Sequence, residues 1–386
     1  MGHRSETVYD KRGYVSKSID ALGNETSYAY DGNGNLVSVT DANGHTTTYA
    51  VNDVNQVTSV TDALELTTSF AYDKNGRRNK STNPMGGVST CIFDKTGNAL
   101  TLTGPEGATT DFTYDANGNL ASRSTVAGNS VKYTYNALNL AESFTNGREQ
   151  TTTYEYDLNG RIVKSVSPEG TVTYTYDGNS NVLTVTDASG TISRTYDALN
   201  RVTSVTDTKG RVVSYEYDLY GNLKTLTYPD NTSVTYTYDL CGNIKTVTDW
   251  EGRVTAYAYD ALNREIETNN SNNYKVKKEY DAVGNLVKKS VYKISSGQLF
   301  DETVYVYDDI NRLVSESYTR KDYCYEYSYD NLSHVVKRIT RKISTGKQTD
   351  EETYDYDGAG NVTTDKTWIN TYKHWNWTKY WRCWRS

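Results

Sequence analysis

Large aliphatic residues are scarce in this chain. Leu, Ile, Val and Phe together make up about 18% of the 386 residues, a level at which many chains bury too little apolar surface to fold. No stretch approaches the roughly 18–20 consecutive apolar residues of a membrane span. The opening MGHRSETVYDKRGY lacks the apolar segment of a signal peptide. Positive charge is not in excess either: 48 acidic residues face 41 basic ones, for a net charge of −7, which removes any global field for nucleic acid. Cys91, Cys241, Cys324 and Cys383 lie far apart and form neither a disulfide framework nor a CxxC metal site. The GxSxG, HExxH and GxxxxGK[ST] patterns are missing. His3, His45, His334 and His374 are scattered singly, which suits surface or structural histidines better than a general base. Neither an enzyme nor a cofactor is expected.

What the chain has instead is tyrosine, 36 of them, and a disordered chain has no use for so many phenols. They fall into a repeat. Seventeen Tyr-Asp-like anchors run from Asp10 to Asp357, mostly 21 residues apart, twice 20, with late spacings of 27, 22 and 27. The anchor is Asp in all units but two, where Asn52 and Asn136 replace it. Tyr precedes it in all but two, where Val51 and Phe93 stand. Three residues after the anchor comes Gly, Asn or, twice, Ser. Gly and Asn tolerate positive φ, and Asp at a turn start accepts hydrogen bonds from turn amides. Asp-x-x-Gly/Asn therefore predicts a type I turn closed by a left-handed residue, a common hairpin connection.

The flanks predict strands. TVTYTYD (171–177) and SVTYTYD (233–239) alternate with period two, and NVLTVTD (181–187) and NIKTVTD (243–249) follow the turn. A second turn such as DANG (41–44) or DWEG (249–252) completes each unit. The fold class is therefore all-β: tandem hairpins of about 21 residues, pairing edge to edge in one long antiparallel sheet. Twist forces such a sheet to curl, so it is expected to spiral around a large interior. In the second strands, apolar residues sit three apart, as at Val202 and Val205. That spacing requires either a bulge or apolar cover on both faces.

The candidate site residues are structural anchors: Tyr30, Asp31, Gly34; Tyr114, Asp115, Gly118; Tyr156, Asp157, Gly160; Tyr217, Asp218, Gly221; Tyr238, Asp239, Gly242; and Tyr280, Asp281, Gly284. Seventeen equivalent positions cannot all be active sites, so turn capping is the expected role of the Asp. DGNGN (31–35) and DANGN (115–119) match the first half of an EF-hand loop but lack its Gly at position six and Glu at twelve, so no metal is expected. Cys91 replaces a strand aromatic, as a small buried filler. The sequons at Asn24, Asn231 and Asn331 matter only in a eukaryotic secretory pathway. The final segment, with Trp368, Trp375, Trp377, Trp381 and Trp384 among Lys and Arg, breaks the pattern. It reads as a truncated or out-of-frame end, or else as a basic-aromatic contact segment.

With seventeen YDxxG copies assembled, the chain resembles the RHS/YD-repeat family: bacterial polymorphic toxins, the cocoon component of insecticidal ABC toxins, and the YD shell of teneurins. The resemblance implies a hollow β-shell over 6–362; the Trp/Lys/Arg-rich composition of 363–386 sets that stretch apart as a truncated or non-repeat tail. It implies a non-catalytic scaffold that encapsulates or presents a C-terminal toxin or effector within a larger secreted or cell-surface protein. The partners would be that payload or the remaining shell, with neither nucleic acid nor a membrane span. No family-type core region with its cleavage motif follows Val362, and no plug precedes Glu6, so the chain reads as an excerpt of a longer protein. The alternative is a cell-surface carbohydrate-binding or adhesion array, because aromatic faces stack on pyranose rings.

Overall fold

The computed structural model describes residues 4–358 and 360–369. Thirty-four strands follow one another from Glu6–Tyr9 to Val362–Ile369. Each pairs antiparallel with its chain neighbours, so the sheet is one continuous meander. The only helical element among the described residues is a single 3-10 turn, Thr319–Lys321. The last strand runs to Ile369, so the array continues seven residues into the segment assigned to the tail. Residues 370–386 lie outside the described residues.

Variations in repeat length have local causes. In the two 20-residue repeats the second turn shortens to two residues, with Ser167 opposite Gly170 and Asp187 opposite Gly190. The two 27-residue spacings come from longer strands, Leu286–Lys293 with Leu299–Tyr307 and Val335–Lys342 with Gln348–Tyr356.

A bulge accounts for the three-residue apolar spacing. Thr195 faces Ser204 while Tyr196 faces Val202, which leaves Thr203 as an extra residue. The bulge brings Val202 and Val205 to one face, opposite Tyr196 and Arg194. The same shift recurs at the anchor aromatic of one hairpin after another. One face of the sheet thus carries the Tyr, Val and Leu side chains. The other carries a ladder of hydroxyls, with Thr175 on Thr184 and Thr237 on Thr246, each at 2.6 Å.

Among the described residues no second layer covers the apolar face. Val234 is the one buried apolar residue among the described residues, and most tyrosines are half-buried, with Tyr9 and Tyr220 exposed. The accessible surface is 25492 Å², against about 15,000 Å² for a compact protein of this mass. Stability rests on cross-strand pairs and turns, not on a packed core.

The sheet winds until its two rims meet. The Asn43 side-chain amide donates to Asp281 Oδ2 at 3.1 Å, 238 residues away and twelve repeats further on. His45 Nε2 lies 3.5 Å from Asp309 Oδ1. The Arg264 charge acts on Asp20, and Glu106 lies against Gly358. Second turns of repeats 1–5 thus sit on the anchor turns of repeats 13–17. The early and late repeats form a seam.

Candidate structural site: the anchor turn, the tyrosine joint and the seam

All seventeen residues three after an anchor have positive φ, from 59° at Asn139 to 102° at Gly97 and Gly284. The turn around Asp31 shows why. Gly34 N donates to the Asp31 carbonyl at 3.2 Å, and Asp31 N donates to the Asn35 carbonyl at 3.0 Å, which only a left-handed residue between them permits. Gly34 needs its missing Cβ for a second reason: the Tyr14 phenol of the preceding repeat lies directly against it.

The Asp side chain locks the loop. Asp31 Oδ1 accepts from Asn33 N and Asn35 N, both at 2.9 Å, and Oδ2 accepts from Asn35 Nδ2 at 2.8 Å. Asp115, Asp218, Asp239 and Asp281 do the same with Asn119, Asn222, Asn243 and Asn285. In the turn of Asp157, Arg161 supplies both the amide, at 3.0 Å, and the Nε, at 2.6 Å. These bonds hold the carboxyls below their ordinary pKa. The Asn side chain acts most strongly on Asp31, Asp115 and Asp239, and the Arg161 amide on Asp157. Asp94 falls to about 2, chiefly through the Thr96 hydroxyl. The half EF-hand pattern at 31–35 thus uses its carboxylate on its own turn. Among the described residues no group of three or more His, Cys, Asp or Glu is placed to hold a metal.

The residue four after the anchor also reaches the next repeat, a role the sequence reading missed. Asn35 Nδ2 donates to Asn55 Oδ1 at 2.9 Å, and Asn243 does the same to Asn263 at 2.8 Å. Arg161 Nη1 donates to the Asp177 carbonyl at 3.1 Å while its guanidinium lies 4.5 Å from the Tyr176 ring. The recurrence of Asn or Arg directly after the Gly/Asn position was the available signal.

The anchor tyrosine is the second inter-repeat joint. Most adjacent hairpins pair over only three residues, as between Ser143–Thr145 and Thr151–Thr153, and others over four or five. Beyond these pairs the tyrosine bridges the neighbouring strands. The Tyr156 hydroxyl donates to the Ala141 carbonyl at 2.6 Å, and Tyr114, Tyr217, Tyr238 and Tyr280 do likewise to Ala99, Val202, Leu223 and Glu265. Tyr30 instead stacks on Tyr14 at 5.0 Å between ring centroids. A Tyr here fills the gap with its ring and satisfies a backbone acceptor with its tip.

At the seam His45 stands between carboxylates of two distant repeats. His45 lies 3.5 Å from both Asp41 and Asp309. A cavity of about 570 Å³ between the turns is lined by Ile19, Asp20 and Ala42 on one side and Ala282, Val283 and Asn311 on the other. Cys91 is half-buried, and burial pushes its thiol pKa up; Cys241 stands exposed on a turn tip.

A one-layer sheet of tandem hairpins, wound until its rims meet, defines a repeat β-shell. The comparisons place it more closely. The Teneurin YD-shell family model matches residues 138–317, and the RHS Repeat model matches 9–47, 52–88 and 93–130. The chain belongs to the RHS/YD-repeat family. Among solved structures, TcdB2-TccC3 superposes with a TM-score of 0.80 at 14% identity, covering 95% of this chain and 24% of that one. TcdB2-TccC3-Cdc42 gives 0.79 at 14%, covering 95% and 23%. The Photorhabdus luminescens Tc holotoxin pore with the TccC3-D651A mutation gives 0.59 at 16%, covering 95% and 22%. This chain spans about a quarter of the length of those chains. No curated protein matches it.

Proposed function

We propose that the chain is a non-catalytic section of an RHS/YD shell, a scaffold that encloses or presents a toxin or effector domain within a larger secreted or cell-surface protein. The contact of Asn43 with Asp281 carries this reading. It marks a sheet closing on itself after twelve repeats, with no second layer over its apolar face among the described residues. The chemistry of the repeats agrees. The anchor carboxylates serve their own turns, and most anchor phenols bond the backbone of the preceding repeat. Their half-buried rings are joints of the sheet, which favours the scaffold over the carbohydrate-binding array.

Limited proteolysis of the array together with the sequence that follows it at its locus tests the reading. The following segment should resist cleavage while the array is folded and become more sensitive when the seam is weakened by Asn43→Asp at low salt. Equal cleavage with and without an intact seam would count against encapsulation.

A further inference from the structure

The two 27-residue spacings change the shape of the second-turn rim. Regular second-turn hairpins are built from strands of five and six residues, as at Leu223–Thr227 with Ser233–Tyr238. In repeats 14 and 16 the corresponding strands have eight and nine residues. The hairpin between them, Leu313–Tyr318 with Tyr323–Tyr329, has six and seven. Three extra residues raise a tip by about 10 Å, so the rim climbs into a ledge over repeats 14–16. At the seam, anchor turns rest on short second turns; tips of such unequal height offer them no level seat.

The two tall tips are built alike. Lys293-Ile294-Ser295-Ser296-Gly297 and Lys342-Ile343-Ser344-Thr345-Gly346 each close with the Gly amide donating to the Lys carbonyl at 2.8 Å, the Gly standing at φ 67°. Each is tied to the tip before it: Ser295 N donates to Asn273 Oδ1 at 2.9 Å, and Ser344 N to Asp322 Oδ1 at 2.8 Å. The ledge is braced across its hairpins.

Its chemistry differs from the rest of the rim. Elsewhere many second turns open on carboxylates, such as Asp41, Asp62, Asp207 and Asp249. The ledge exposes Lys293, Arg320, Lys321, Lys342 and Lys347. Further down the same hairpins, Lys275, Lys288, Lys337 and Arg341 pair with Glu267, Glu302, Glu351 and Glu326, whereas the five tip cations join no ion pair among the described residues. Rings flank several of them instead. The Arg320 guanidinium lies 4.0 Å and Lys293 Nζ 5.7 Å from the Phe300 ring centroid, and Lys321 Nζ lies 5.6 Å from that of Tyr318. The carboxylates at this level, Asp301, Asp322 and Asp350, each accept a backbone amide. Among the cations stand Ile294, 46% exposed, and Ile343, 42% exposed.

Unpaired cations beside exposed aliphatic side chains and rings suit the headgroup layer of an anionic bilayer. We propose that the ledge of repeats 14–16 is a docking surface for a membrane carrying anionic lipids. Charge complementarity selects this partner. A chain of net charge −7 meets such a membrane most favourably where its unpaired cations gather, so the ledge also sets the orientation. The isoleucines favour lipid over nucleic acid, whose phosphates give an aliphatic tip nothing to enter. The contact is peripheral and does not depend on what the shell encloses.

Co-sedimentation of the full chain with mixed phosphatidylserine–phosphatidylcholine vesicles, against phosphatidylcholine alone, tests it. Binding should need the anionic lipid and fall at high salt. The triple variant Lys293→Gln/Arg320→Gln/Lys347→Gln should weaken it by on the order of a hundredfold, about fivefold per cation. Gln298 already fills the place of Lys347 at the other tip. Ile294→Ser/Ile343→Ser should weaken it by about tenfold or more. Removing as many charges elsewhere, with Lys80→Gln/Lys132→Gln/Lys224→Gln, should leave it nearly unchanged, and all three variants should keep the melting temperature. No sedimentation with the anionic vesicles would overturn the proposal. Binding that survives the ledge variants would also overturn it and assign the contact to residues 370–386. Equal losses from the two charge variants would overturn it as well, leaving only unspecific attraction.

Discussion

The hydroxyl of Tyr156 donates to the carbonyl of Ala141, across the boundary between two repeats. One phenol therefore belongs to the stability of two hairpins. Tyr156→Phe keeps the ring and strands the acceptor, which should cost about 1–2 kcal/mol. Denaturant titration measures that cost. In a sheet whose repeats couple to their neighbours, hydrogen exchange should rise first in the strands Ala141–Thr145 and Thr151–Tyr156.

The left-handed residue is a backbone requirement separable from packing. At Gly118, φ is 84° and an added Cβ would meet nothing within 4 Å. Gly118→Val should therefore cost about 1–2 kcal/mol through backbone strain alone. Gly118→Asn should be nearly neutral, because Asn139 holds the equivalent position at 59°. Equal losses for the two variants in thermal melts would show that the turn conformation is not the cause.

The sequence carried most of the local structure and little of the long-range structure. Period-two alternation and the Asp-x-x-Gly/Asn turn are short-range signals, and they located strands and turns because each repeat restates them. Val202 and Val205, three apart, left two explanations open; the bulge at Thr203 decides between them, because pairing register depends on the partner strand. The partners of Asn43 and Asp281 were not legible. Nothing in either turn encodes a neighbour twelve repeats away; the accumulated twist of the sheet sets it. The tyrosine repeat itself is legible, but the acceptor of each hydroxyl, a carbonyl of the preceding repeat, depends on where hairpin pairing stops.

Acid should unfold the array over a defined window. The anchor carboxyls Asp31, Asp115, Asp157 and Asp239 have lowered pKa values in the folded state, and Asp94 titrates near about 2. A depressed carboxyl pKa adds stability above the unfolded value of about 3.9, and this is lost as the pH falls through the folded value. Denaturation midpoints should fall steadily as the pH drops below about 4. The anchor phenols act at the other end. Burial raises the pKa of Tyr156 and Tyr238, so their contribution holds below about 10 and is lost at higher pH. A midpoint that rose on acidification would contradict the capping role.

The seam should be sensitive to one charge. Asn43→Asp sets a second carboxylate against Asp281 in place of an amide donor. Between partly exposed groups the repulsion should destabilise the seam by about 1 kcal/mol at low salt and less at high salt. Melting temperatures of the variant at two ionic strengths check this, and a salt-independent loss would assign the effect to the turn itself.

The central claim is that one sheet winds until repeat 2 meets repeat 14. Cysteines placed at 42 and 282, on the two sides of the seam cavity, with Cys91, Cys241, Cys324 and Cys383 replaced by serine, test it with a short bismaleimide under dilute native conditions. The wound shell predicts efficient cross-linking within one chain, found by mass spectrometry as a 42–282 peptide pair and abolished by denaturant. A folded chain that yields no such pair, or yields it only between molecules, would contradict the account.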